Sequence, residues 1–128
     1  MLINLWLSPN NNDLLFDLPP VLFIEGQKIS VSRLFIEWIT PVKVTPLVLH
    51  STLIEKSPTN PNQQFLFATS TQTNKRVSVF DYTPTHKNYY KIQCLDLQSS
   101  EFELRDLNNN KISNLKRIFV QLEIDERV

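Results

Sequence analysis

Between Lys116 and Asp125 aliphatic residues recur at every second position, and this constrains the fold more than any other feature of the chain. Ile118, Val120, Leu122 and Ile124 share one parity; Arg117, Phe119, Gln121, Glu123 and Asp125 share the other. Side chains of an extended strand point alternately to its two faces, so this segment reads as a half-buried strand. Segment 29–39 alternates as well. It sets Leu34, Ile36 and Trp38 on one face, and Ile29, Val31 and Phe35 on the other beside Arg33 and Glu37. Apolar residues on both faces predict a central strand, or one covered by a partner.

Further strands are expected at 2–7, 14–17, 21–25, 47–54, 64–68, 77–82, 90–97 and 101–105. Helix has little to build on. There is one alanine, and no sustained 3.6-residue pattern appears. Pro and Asn break the strands in place of Gly, of which there is one, Gly26. Pro19-Pro20, Pro41, Pro46, Pro58 and Pro61 fix backbone angles between segments. Asn10-Asn11-Asn12 and Asn108-Asn109-Asn110 read as turns, where Asn adopts the left-handed conformation that Gly usually supplies. No repeat, linker or composition shift divides the chain, so 1–128 is expected to be one domain. The expected fold is all-β: an antiparallel β-sandwich of about eight to ten strands. An immunoglobulin-like sandwich and a jelly roll both fit. The missing Cys–Trp–Cys pattern favours a single jelly roll.

Charge and cysteine usage narrow the function classes. Thirteen basic residues balance thirteen acidic ones, which argues against non-specific nucleic-acid binding. With one glycine the chain has no Gly-rich phosphate loop and no nucleophile elbow. Cys94 is the sole cysteine, so no internal disulfide forms. The apolar start lacks a basic leader region, and no apolar run approaches ~20 residues. A location in the cytosol or nucleus, without a signal peptide or membrane span, is the expectation.

Each chemical constellation has a plainer structural explanation. His50, His86 and Cys94 match no compact zinc spacing. They read as one partly buried His, one surface His and a buried strand thiol without catalytic work. Glu101, Glu103 and Arg105 share a strand face, and paired carboxylates at that spacing can serve glycoside hydrolysis. Carboxylates balanced by neighbouring Lys or Arg are the simpler reading. Lys75-Arg76 and Lys116-Arg117 read as solvated strand ends. No enzymatic role, catalytic residue, cofactor or metal is expected. The aromatics Trp6, Trp38, Tyr89 and Tyr90 are the candidate interface residues, because exposed rings concentrate at interface cores.

The order of segments carries a resemblance. LLFDLPPVLFIEGQKISVSRLFIEW (14–38) runs strand, Leu-Pro, apolar strand, Gly turn and long alternating strand. VLHSTLIEKSPTNPNQQFLF (48–67) and TPTHKNYYKIQCLDLQSSEFELRDLNNNKISNLKRIFVQLEI (83–124) follow. This layout resembles the single jelly-roll, penton-like capsid proteins of large DNA viruses and of virus-like Maverick or Polinton transposons. The resemblance implies a non-enzymatic structural protein of virus or transposon origin, acting as a capsid or virion component. Its partners would be its own copies, as a trimer or pentamer, and other virion proteins. It would reside in a virion or in the host cytoplasm or nucleus. The alternative from the residues themselves is a monomeric β-sandwich module that binds a peptide or carbohydrate.

Overall fold

The computed structural model describes residues 2–10, 13–16, 21–56 and 64–125. Among the described residues nine strands run in the order β1 (Leu2–Asn10), β2 (Asp13–Phe16), β3 (Lys28–Val42), β4 (Leu47–Ser51), β5 (Phe65–Ala68), β6 (Val77–Tyr82), β7 (Tyr90–Lys91), β8 (Phe102–Asp106) and β9 (Leu115–Asp125). Among the described residues the one helical element is a 3-10 turn, Leu97–Ser99, where the Gln98 amide donates to the Asp96 carboxylate. The larger sheet has the order β2-β1-β9-β3-β6, with β7 also paired to β3; the smaller has the order β5-β4-β8. Among the described residues every strand pairing is antiparallel. One apolar core takes residues from both sheets, joining Leu5, Ile36 and Val120 with Leu49, Leu66 and Leu104. The architecture is all-β and sandwich-like.

The alternation in β9 appears as expected: Ile118, Val120, Leu122 and Ile124 are all buried. Segment 29–39 departs from strict alternation. Val31 pairs with Leu122 and Arg33 with Gln121, so β3 carries one extra residue, Ser32. A bulge of this kind reverses parity along the bulged strand. Ile29 and Val31 before it, and Leu34, Ile36 and Trp38 after it, therefore all enter the same core. The expectation is corrected for Ile29 and Val31, which share the core face; Phe35 stays on the other face, and β3 is central, between β9 and β6. The Ser32 hydroxyl donates to Gln121 Oε1 at 2.8 Å, and Gln121 Nε2 donates to Asn4 Oδ1 at 3.0 Å. The bulge is thus tied across β9 to β1.

A second bulge lies on β9. Glu37 pairs with Arg117 and Trp38 with Leu115, leaving Lys116 as the extra residue. It returns Leu115 to the core side with Ile118. Asn114 precedes it at φ 64°, a left-handed conformation open to Asn at small cost. Its side-chain amide donates to Thr40 O at 2.9 Å and Thr40 Oγ1 at 2.7 Å. Asn109, also left-handed at φ 66°, closes the turn after β8. The other expected Asn turn, at Asn11 and Asn12, lies outside the described residues, as do Pro19-Pro20 and the loop 57–63.

Two expected strands are mostly irregular chain. Segment 21–25 keeps one bridge, Leu22 to Asp96; in 90–97 only Tyr90–Lys91 is a strand. Cys94 consequently lies outside any strand. It is half-buried, and its thiol donates to Asp96 O at 3.1 Å. The expectation of a fully buried strand thiol is corrected.

Candidate docking surface

Strands β1, β9, β3 and β6 turn their second face away from the core, and a row of side chains crosses it. Trp6 pairs with Phe119, Phe119 with Phe35, and Phe35 with Asp81. Trp6 is 53% exposed although it is a large aromatic. Its ring centroid lies 4.8 Å from that of Phe119, tilted by 51°, within the geometry favoured by aromatic pairs. Phe35 and Phe119 are half-buried.

Two arginines cover these rings. The Arg117 guanidinium lies 5.3 Å from the Trp6 ring centroid, and that of Arg33 lies 5.7 Å from the Phe119 centroid. Both distances allow attraction between the cation and the ring quadrupole. Each guanidinium also has a carboxylate. Arg33 donates to both oxygens of Asp81, at 3.0 and 2.7 Å; Arg117 Nε lies 2.9 Å from Glu37 Oε1. The Arg33 pair holds the Asp81 carboxyl below its ordinary pKa, because the charged form accepts these hydrogen bonds. Lys116 Nζ stands 3.8 Å from the same Glu37 oxygen. The surface therefore presents aromatic area framed by neutralised ion pairs, with Asn4 and Gln121 at its margin. At the end of the sheet near Glu123 the outer face is crossed by the connection after β6, where Lys87 bonds the Glu123 carboxylate.

The four candidate interface aromatics separate. Trp6 is on this surface. Trp38 is 4% exposed and belongs to the core, on the same side of β3 as Leu34 and Ile36. Tyr89 and Tyr90 are both half-buried. Tyr90 pairs through β7 with Ile29 and packs against the core. The residues that complete the surface, Phe35, Phe119, Arg33 and Arg117, were not singled out from the sequence. Their signal was a phenylalanine on the polar parity of each of two strands.

The remaining constellations are dispersed or paired. On the outer face of the smaller sheet His50 stands opposite Glu103 and packs edge-on against Phe65, at 4.7 Å between ring centroids. Burial lowers the His50 pKa first, the nearby Arg105 charge lowers it further, and Glu103 works against both. Glu103 pairs with Arg105 at 2.7 Å and with Lys111 at 3.6 Å. The carboxylate is thus engaged by basic groups, and Glu101 is exposed beyond it. His86 is exposed in the connection after β6. Among the described residues no three His, Cys, Asp or Glu side chains come close enough to hold a metal ion. No helix among them is long and apolar enough to cross a membrane. Comparison with protein-family models, with curated protein sequences and with solved structures finds no match.

Proposed function

We propose that this chain is a single jelly roll that acts as a self-assembling structural protein of capsid type, of virus or virus-like transposon origin. The observation that carries the reading is the nesting of its strand pairs. The first strand pairs with the last, β1 with β9; inside that pair β2 comes beside β8, β3 pairs with β6 and β4 with β5. The nested ribbon then rolls up, so that β9 meets β3 and β8 meets β4. Two Greek keys wound together generate this order, and the jelly roll serves viral capsids as well as lectins. Its work in an assembly is shape and contact area. The exposed Trp6 surface supplies an aromatic centre of the kind that anchors protein interfaces. Arg33 and Arg117 already face carboxylates within the chain, so contact there buries no isolated charge.

The alternative, a monomeric module for a sugar or peptide, draws on the same Trp6 ring bordered by Asn4 and Gln121. Light scattering after size exclusion at micromolar concentration separates the two. The assembly reading predicts a closed trimer or pentamer that persists at high salt, since the contact is apolar. A clean 15.0 kDa monomer across that range would overturn it in favour of the binding module. Residence in a virion or in the host cytoplasm or nucleus belongs to the same proposal.

A further inference from the structure

We propose that the free edge of β6 pairs antiparallel with β6 of a second copy, about a two-fold axis through Val79. This extends the assembly reading and is tested apart from it. Exposed strand edges are templates for pairing, and proteins blunt them with short strands, Lys, Pro, bulges or covering chain. The other edges here carry such devices. The chain after β8 folds back on it, with Ile112 N donating to Leu104 O and Asp106 N to Asn110 O. Strand β5 has four residues and a register shift against β4. Strand β2, also four residues, lies beside β8.

Among the described residues β6 has no covering chain, and its one irregularity, a register shift between Val77 and Val79, places the extra residues on β3. Its six residues, VSVFDY, include no Lys, Pro or Gly. Its one charged residue, Asp81, is turned to Arg33 on the neighbouring strand. Among the described residues its backbone hydrogen-bonds only to β3. Val79 stands 44% exposed on the outer face.

An open row of amides and carbonyls takes an extended chain, and the charges along β6 favour β6 itself. Exposed Lys75 and Arg76 precede the strand and Asp81 stands near its end. Antiparallel pairing sets unlike ends side by side, where parallel pairing would set like ends together. Residues directly opposite each other share a face, so outer residues must meet outer residues. An axis through Val79 sets that outer residue against its own copy and Lys75 diagonal to Asp81; Val77, which also packs against the core, falls opposite Asp81 at the end of the ladder. A five-residue ladder buries less than the ~800 Å² per partner of a standard interface. The contact is therefore weak alone, and it serves to join closed rings to one another.

The test is disulfide trapping at micromolar concentration in a Cys94→Ser background, comparing Val79→Cys with Lys75→Cys. Opposite residues of an antiparallel pair have Cβ atoms about 4.5–5.5 Å apart, close to disulfide reach. Two copies of position 75 would lie about 26 Å apart, at 3.3 Å per residue. The proposal predicts trapping of the Val79→Cys dimer at least tenfold faster than that of Lys75→Cys. Equal rates, or none at position 79, would overturn it. In the chain with Cys94 intact, Val79→Lys sets two ammonium groups across the axis. It should weaken self-association in sedimentation at least tenfold, with Val79→Thr close to wild type; equal effects of the two would also overturn the proposal. Rapid trapping of a protein that scatters as a monomer keeps the edge contact and removes the closed oligomer. An oligomer with no trapping at position 79 does the reverse.

Discussion

The two faces of the larger sheet are built from the same strands in the same register, yet they differ in chemistry and exposure. On the inner face Leu5, Leu34, Ile36, Ile118 and Val120 are each 1% exposed or less. Their immediate neighbours in sequence, Trp6, Phe35 and Phe119, stand on the outer face with Arg33 and Arg117 laid over their rings. The inner face is held by close packing, so any lost volume is felt there. The outer face is held by ring edges, guanidinium planes and solvent-exposed ion pairs, each worth little to stability. The close-packed face and the proposed contact surface thus lie on opposite sides of one sheet. The bulges at Ser32 and Lys116 keep the assignment consistent along β3 and β9.

The comparison breaks most severely if parity is lost. Deleting Ser32 would turn Ile29 and Val31, both buried, toward the outer face. Two fully exposed aliphatic side chains would forfeit about 3–6 kcal/mol, a large part of a small domain's stability. Cooperative thermal unfolding monitored by circular dichroism should be lost. A deletion variant melting within a few degrees of wild type would show that Ser32 does not set the parity. Next in size, Leu122→Ala removes a side chain with no exposure from the centre of the core. It should cost about 2–5 kcal/mol in urea unfolding, and a cost under 1 kcal/mol would mean that the inner face is loosely packed.

Outer-face changes should be milder on stability and sharper on association. Trp6→Ser should cost about 1 kcal/mol or less in the monomer, the scale of one lost aromatic pair, while reducing the oligomer fraction seen by light scattering. A variant that unfolds more readily but associates as before would reverse the division between the faces. The smallest effect is expected on the other sheet. His50 has its pKa below 6.5 in the folded protein, so the unfolded chain binds the proton first. Stability from this group is complete above the unfolded value and declines as pH falls through it toward the folded one. His50→Gln should flatten that part of the stability–pH curve; an unchanged slope would remove His50 as its cause.

Much of the inner face was legible because burial imposes a strict period. Ile118, Val120, Leu122 and Ile124 could be placed from spacing alone. The bulges were not legible, because one inserted residue leaves composition untouched and only shifts parity. Without the Ser32 bulge in view, Ile29 and Val31 fall on the face opposite Leu34, Ile36 and Trp38, although all five lie in the core. Segment 90–97 looks like a strand by residue type, yet its backbone bonds go mainly to loops, as when Gln93 and Cys94 both donate to Leu53 O. The outer surface was half legible. Trp6 could be named because large rings concentrate at interface cores. Its partners could not, because Arg117 and Phe119 meet Trp6 through a strand pairing more than a hundred residues distant in the chain. The proposed jelly roll draws on the same kind of long-range pairing, which no local pattern contains.

The most direct test of the central claim is the environment of Trp6 as the protein associates. The chain has two tryptophans, so Trp38→Phe leaves Trp6 as the single indole emitter. Its emission wavelength and its quenching by acrylamide can be followed from nanomolar to high micromolar concentration, alongside light scattering. If the outer face is the contact surface, Trp6 will be fully quenchable in the dilute monomer. It will shift to the blue and become protected over the same concentration range in which the mass rises. Rising mass with Trp6 emission and quenching unchanged would contradict the account.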